Sequence, residues 1–219
     1  TAAAWYAELA RAIGFGTTHM SLYQLTIEPG TRFATDVAKQ QWTPLDDDAA
    51  ADLYALTQTQ MEAAGLPAYE ISNHAAPGQE SRHNLTYWRY QDYVAIGPGA
   101  HGRRLAQATT RHRKPENFLS GVARNAHGLK SEETLDPATQ AMEALLMGLR
   151  LREGVDISAL GRRFAIDSAD LLDWGAVDKL CTLGFIHSDA GRVTIVPKGM
   201  PLLDAILPQI VAVEPEAVD

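Results

Sequence analysis

The sequence predicts a mixed α/β protein in two parts, in which an alternating helix–strand part is followed by a small helical part. Two observations support this division. Apolar periodicity alternates between helix and strand up to residue 130, and beyond it the pattern is helical. Residues 1–130 carry 12 basic and 12 acidic side chains, whereas residues 131–219 carry 7 basic and 15 acidic ones. We therefore predict two domains, 1–130 and 131–219, joined by a polar linker near residues 128–135.

The elements of the first part follow from local patterns. Residues 2–13 place apolar side chains on one helical face, and residues 19–27 are rich in the β-branched and aromatic residues typical of strands. The aspartates at 46–48 offer an N-cap for a helix that ends at Gly65. Two shorter strands are predicted at residues 68–72 and 93–96.

Strand, helix and strand joined by short connections form the βα unit of a parallel sheet or barrel. Functional side chains of such folds lie just past the carboxyl ends of the strands, which here are residues 28–30, 72–74 and 97–101. Three strands are too few to close a barrel, so we expect the N-terminal half of a barrel to be missing. An incomplete barrel exposes sheet edges and apolar faces, which predicts either self-association, for example as a homodimer, or modest stability.

The second part contains helical patterns followed by a hairpin, an order that resembles a winged helix. The helices are predicted at 137–152, 156–164, 168–183 and 201–211, and the hairpin at 186–196. A DNA-recognition helix needs a basic face, whereas the whole net charge of −8 lies in this part. We therefore expect no nucleic-acid partner.

Composition excludes several classes of protein. Cys181 is the only cysteine, so the chain cannot form an internal disulfide or hold a multi-cysteine cluster, and we expect a buried thiol there. No apolar run approaches the roughly 18 residues of a membrane span, so no transmembrane segment is expected. A reducing, cytoplasmic location fits this composition. No nucleophile elbow or Ser-His-Asp order occurs, and we assign no catalytic residue.

Residues 69–104 are the densest in ligand-binding side chains, because large aromatics alternate there with histidine and arginine. His83 and Asn84 precede Tyr87 and Tyr90. Such a histidine could ligate haem iron axially, or it could be a hydrogen-bonded loop residue beside core aromatics. The glycines at 97–101 could admit a ligand to the backbone or simply form a tight turn. Nearby arginines could pair with carboxylates or remain solvated.

Several stretches together resemble the HemW family, the haem-chaperone relatives of oxygen-independent coproporphyrinogen III oxidase. They are HMSLYQLTIEPGT at 19–31, YEISNHAAPG at 69–78, SRHNLTYWRYQDYVAIGPGAHG at 81–102, EALLMGLRLREGVD at 143–156 and IVPKG at 195–199. The resemblance covers nearly the whole chain, in order and at the family's spacing. It implies the second part of a partial (β/α)6 radical S-adenosylmethionine barrel, followed by a small helical, winged-helix-like domain.

The resemblance also implies cofactors and site residues. The family binds a [4Fe-4S] cluster through a CxxxCxxC motif that this sequence lacks, so the cluster ligands are expected outside the chain. Gln24, Thr26, Ala100 and His101 match the positions that contact S-adenosylmethionine.

The HN segment carries over to His83 and Asn84 as haem-binding residues, with His83 as the haem-iron ligand. The implied function is haem binding and delivery to an acceptor protein. Coproporphyrinogen III oxidase activity, the oxidative decarboxylation that forms protoporphyrinogen IX, is the alternative that the family leaves open.

Overall fold

The computed structural model describes residues 1–212, which form two compact units, Thr1–Glu80 and the residues from Ser81 onward. The mixture of helices and short strands confirms the predicted α/β class. Among the described residues, every helix is too short or too polar to cross a membrane.

The first unit contains three helices and two short strands. They are α1 (Ala2–Ile13), β1 (His19–Ser21), α2 (Arg32–Ala38), α3 (Asp47–Ala63) and β2 (Asn73–Ala75). The predicted helices α1 and α3 are confirmed, and the Asp46 side chain caps α3 by accepting from the Ala49 N–H at 2.7 Å. Helix α2 was not predicted.

The core of the first unit lies between α1 and α3. Leu9 from α1 and Met61 from α3 are buried together with Leu66, which follows α3. The Trp5 indole N–H donates to Thr57 Oγ1 at 2.8 Å, so the one polar atom of this large ring is paired. These contacts join two helices that are about 50 residues apart in the chain.

The two strands of the first unit are antiparallel, so the prediction of a parallel pair is wrong. His19 pairs with Ala75 and Ser21 with Asn73. The strand predicted at 19–27 ends at Ser21, and the one predicted at 68–72 is displaced to β2. The cause is a local turn in which the Glu70 carboxylate accepts from the Ser72 N–H at 3.1 Å. A side chain that bonds the backbone in this way competes with strand pairing.

The second unit is larger and contains two small antiparallel sheets. Its elements are α4 (Arg82–Trp88), β3 (His101–Arg104), β4 (Gln107–Arg111), α5 (Pro115–Asn125), β5 (Leu129–Thr134), α6 (Pro137–Gly148), β6 (Val155–Asp156), α7 (Ile157–Phe164), α8 (Ser168–Leu171), α9 (Trp174–Thr182), β7 (Ile186–Asp189), β8 (Arg192–Ile195), a 3-10 turn (Met200–Leu202) and α10 (Leu203–Ile210).

The first sheet of this unit has the order β3-β4-β5 and was not predicted. Of the strand predicted at 93–96, only Tyr93 is paired, through an isolated bridge to Arg103. The segment predicted as a linker at 128–135 contains β5. The predicted domain boundary after residue 130 therefore lies within a compact unit, and as a boundary between family domains it stays a prediction.

The second sheet has the order β6-β8-β7 and packs with the C-terminal helices, the arrangement predicted as winged-helix-like. The predicted hairpin is confirmed, and so is the helix at α7. The helix predicted at 168–183 is divided into α8 and α9, because Leu172 is extended and Asp173 caps a new helix by accepting from the Ala176 N–H.

The turn between β3 and β4 is strained. Leu105 and Ala106 both have positive φ, 51° and 60°, which the two-residue hairpin turn requires but which favours asparagine and glycine. We expect Leu105→Asn to raise the free energy of unfolding by about 1 kcal/mol, since it relieves a left-handed leucine. Urea unfolding measures the change. The control is Leu119→Asn in helix α5, which should not stabilise, and a loss at position 105 would contradict the interpretation.

Candidate functional site

Helix α4 places the predicted haem residues on a short helix rather than in a loop. Ser81 begins it by accepting from the Asn84 N–H at 3.3 Å. His83 is exposed, and its ring packs edge-on against Tyr87, one turn further along, with 4.7 Å between ring centroids. Within residues 1–212 neither ring nitrogen of His83 makes a hydrogen bond, so both are available to a ligand.

Tyr87 in turn packs against Tyr93, with ring centroids 4.3 Å apart. We call His83, Tyr87 and Tyr93 the aromatic row. Tyr93 is held at its backbone by Arg103, since the Tyr93 N–H donates to the Arg103 carbonyl at 2.7 Å and the Arg103 N–H donates back at 3.1 Å. The aromatic row thus extends from helix α4 to the edge of the β3-β4-β5 sheet.

Glu143 on α6 binds two residues next to this row. The Arg103 guanidinium donates two hydrogen bonds to its carboxylate, at 2.7 and 3.0 Å, and the Tyr90 hydroxyl donates a third at 2.5 Å. Burial and the Glu143 carboxylate raise the pKa of Tyr90, so the hydroxyl remains a donor. Burial opposes ionisation of Glu143, but the bonds from Arg103 and Tyr90 outweigh it and lower the pKa of the carboxyl.

The residues predicted to contact S-adenosylmethionine lie in different units, and each is described in its own. In the first unit, Gln24 and Thr26 are exposed beyond β1, and the Gln24 amide donates to the Ala50 carbonyl at 2.8 Å. In the second unit, Ala100 and His101 follow a turn in which Gly97 and Gly99 have positive φ. The Ala100 carbonyl accepts from the Arg111 N–H at 3.0 Å, which fixes the turn against β4.

A buried polar cluster in the first unit was not predicted as a site. Glu70 is 4% exposed and accepts from Asn73 Nδ2 at 2.5 Å, while Asn73 Oδ1 accepts from the Ser21 hydroxyl at 2.5 Å. His74 beside them is 1% exposed, and neither ring nitrogen has a partner among residues 1–212. The sequence signal for this cluster was that Asn73 and His74 lie at the carboxyl end of a predicted strand, where functional side chains are expected.

Burial lowers the pKa of His74 to about 4, and the nearby His19 adds to the effect. The imidazole is therefore neutral at physiological pH.

The sequence and the fold of this chain are similar to those of known proteins. A family model described as the HemN C-terminal domain matches residues 135–202. The radical S-adenosyl methionine domain-containing protein 1 of mouse mitochondria is 32% identical over 217 residues, which cover 93% of this chain and 48% of that protein. The heme chaperone HemW of Escherichia coli is 37% identical over 152 residues, covering 67% and 38%.

The chain belongs to the HemW/HemN-like radical S-adenosylmethionine family. Its fold is also that of a solved family structure, coproporphyrinogen III oxidase (HemN) from Escherichia coli. The TM-score is 0.73 at 14% identity, and the match covers 95% of this chain and 51% of the other. The chain spans about half the length of the curated relatives it matches.

A HemW/HemN-like protein is expected to hold an iron–sulfur cluster, and the residues of this chain do not fit one. A [4Fe-4S] cluster takes several thiolate ligands, whereas Cys181 is the only cysteine. Cys181 is half-buried rather than fully buried as predicted, and this burial still raises the pKa of its thiol and disfavours the thiolate that a metal needs. Within residues 1–212 no three histidine, cysteine or acidic side chains cluster as a metal site.

Proposed function

We propose that this chain is part of a HemW-type haem chaperone, which binds haem through His83 and delivers it to acceptor proteins. The observation that carries the proposal is His83 itself, exposed on α4 with unbonded ring nitrogens and an aromatic neighbour. The similarity to a relative named heme chaperone HemW, over two thirds of the chain, supports the same function.

The geometry suits a cargo that is bound and later released. A neutral imidazole nitrogen donates its lone pair to haem iron, and an exposed helix can present the haem to a second protein. Tyr87 restricts the rotation of the His83 ring by packing against it, and it adds an apolar surface for a planar macrocycle. Asn84, the next residue of α4, stays a predicted haem-binding residue.

The cofactors of the whole protein belong to the same proposal. Relatives named for radical S-adenosyl methionine domains support S-adenosylmethionine and a [4Fe-4S] cluster as cofactors, the cluster being held by residues outside this chain. Gln24, Thr26, Ala100 and His101 stay predicted contacts of S-adenosylmethionine. The acceptor protein, the homodimer and the cytoplasmic location also stay predictions, and some relatives are named as mitochondrial proteins.

Coproporphyrinogen III oxidase activity is the less supported alternative. The solved oxidase shares 14% identity with the chain, and that similarity supports a common fold alone. The curated relatives reported above are named for a heme chaperone and for a radical S-adenosyl methionine domain.

A haem titration followed by absorbance tests the proposal. The full chain, its His83→Ala variant and a His187→Ala control are titrated with haemin. His187 is an exposed histidine of β7 and a matched control for the loss of an imidazole. We expect saturable binding by the wild type and the control, and at least tenfold weaker binding by His83→Ala, about 1.4 kcal/mol. Equal binding by all three proteins would show that His83 is not the ligand.

A further inference from the structure

We propose that Glu143 is a positioning residue for His83, and that through it the C-terminal domain orients the helix that carries the haem ligand. This inference rests on the proposed function, because it assigns a second residue to the same site. Glu143 lies within residues 135–202, which match the HemN C-terminal domain, whereas His83 lies 60 residues earlier in the chain. Sequence proximity therefore gives no reason to connect them.

The first connection is at the end of α4. Tyr90 follows this helix with a φ of 49°, a left-handed conformation that is unusual for a bulky residue and persists only when neighbouring contacts hold it. The Tyr90 side chain is held by Glu143, and the Tyr90 carbonyl accepts from Arg163 Nη2 at 2.5 Å. Glu143 thus fixes the residue that directly follows the C-cap of α4.

The second connection is through Arg103. Glu143 holds the Arg103 guanidinium by two parallel hydrogen bonds, a geometry that fixes orientation as well as distance. Arg103 is directly opposite Tyr93 in an antiparallel bridge, so the two side chains lie on the same face of the sheet. Tyr93 then contacts Tyr87, and Tyr87 contacts His83.

Both connections start from the Glu143 carboxylate, one through Tyr90 and the other through Arg103. Tyr90 directly follows the C-cap of α4, and Tyr93 packs against Tyr87, which packs against His83. The Arg103 and Glu143 side chains are only 25% and 22% exposed, so solvent screens their interaction less than that of a surface pair. Groups that support a metal ligand from behind restrict its orientation and thereby change its affinity.

The experiment compares Glu143→Ala and Glu143→Gln with the wild type and with Asp36→Ala. The Asp36 carboxylate pairs with Arg32 within helix α2 of the first unit, and its side chain is 22% exposed, as is that of Glu143. Its variant therefore controls for the loss of an ion pair outside the unit that holds the aromatic row. The first readout is the imidazole NMR signal of His83 in the haem-free chain, assigned by its disappearance in His83→Ala. The second is the haem titration described above, with the absorbance spectrum of the complex.

We expect Glu143→Ala to shift the His83 signal and to weaken haem binding at least fivefold with an altered spectrum. Glu143→Gln should be intermediate, because it keeps the side-chain size but loses the charge, and Asp36→Ala should match the wild type. If Glu143→Ala does not fold, the His83 signal and haem binding of Glu143→Gln are compared with those of the wild type instead. An unchanged His83 signal in a folded Glu143 variant overturns the inference. A shifted His83 signal with haem binding that does not depend on His83 supports the positioning and contradicts the proposed function.

Discussion

Replacing Gly154 with alanine is expected to lower the free energy of unfolding by about 4 kcal/mol, near the upper end of single-residue effects. Gly154 lies just before β6 with a φ of 63°. A Cβ there would overlap the Val193 carbonyl oxygen and lie 2.9 Å from the Thr194 Cα. Both neighbours belong to the central strand β8, so the sheet must move to admit a methyl group.

Gly184→Ala is the matched control. Gly184 lies in the same domain with a φ of 73°, but a Cβ there meets nothing within 4 Å. It should therefore show only the cost of a left-handed alanine, about 1–2 kcal/mol. Chemical denaturation of both variants measures the difference, which is the steric effect at β8. Equal losses for the two variants would mean that the sheet accommodates the methyl group without cost.

Lowering the pH from 7 to 5 is expected to reduce the free energy of unfolding by about 2 kcal/mol through the protonation of His74 alone. Its pKa is about 4 in the folded protein, below the ordinary value of 6.5. The unfolded chain therefore binds a proton that the folded chain excludes. The contribution of His74 to stability is complete above pH 6.5 and is lost progressively as the pH falls toward 4.

The His74→Leu variant isolates this effect, since leucine has a similar size and does not titrate. The unfolding free energy of the wild type should fall more steeply between pH 7 and 5 than that of the variant. His187→Leu, which removes an exposed histidine, controls for the replacement of an imidazole by leucine. Parallel curves for wild type and His74→Leu would show that His74 opens to solvent and titrates normally.

The helices α1, α3 and α7 were predictable because their signals are local, whereas α2, α4 and α5 were not predicted. Asp46 caps α3, and the apolar faces of α1 and α7 repeat within a few residues. The β3-β4-β5 sheet was not predicted, since the strained Leu105–Ala106 turn lacks the usual turn residues and β5 is too polar to resemble a strand.

The same distinction applies to the candidate site. His83 was singled out by its aromatic neighbours in the chain and assigned to haem through the resemblance of the HN segment, and the structure places it beside Tyr87 on one helix. Glu143 could not be predicted, because its partners Arg103 and Tyr90 are 40 and 53 residues away. The burial of Glu70 and His74 likewise depends on how β1 and β2 meet, which local periodicity does not reveal.

The separation of β1 and β2 has a consequence for the order of folding. The two strands pair across more than 50 residues, whereas β7 and β8 are joined by the two-residue turn Ala190–Gly191, in which both residues have positive φ. Closing a long loop loses chain entropy before its contacts form, and hairpins with such turns form within about 1–10 μs. The C-terminal hairpin should therefore form early, and the buried Glu70–Asn73 cluster should be among the last parts of the chain to become protected from hydrogen exchange.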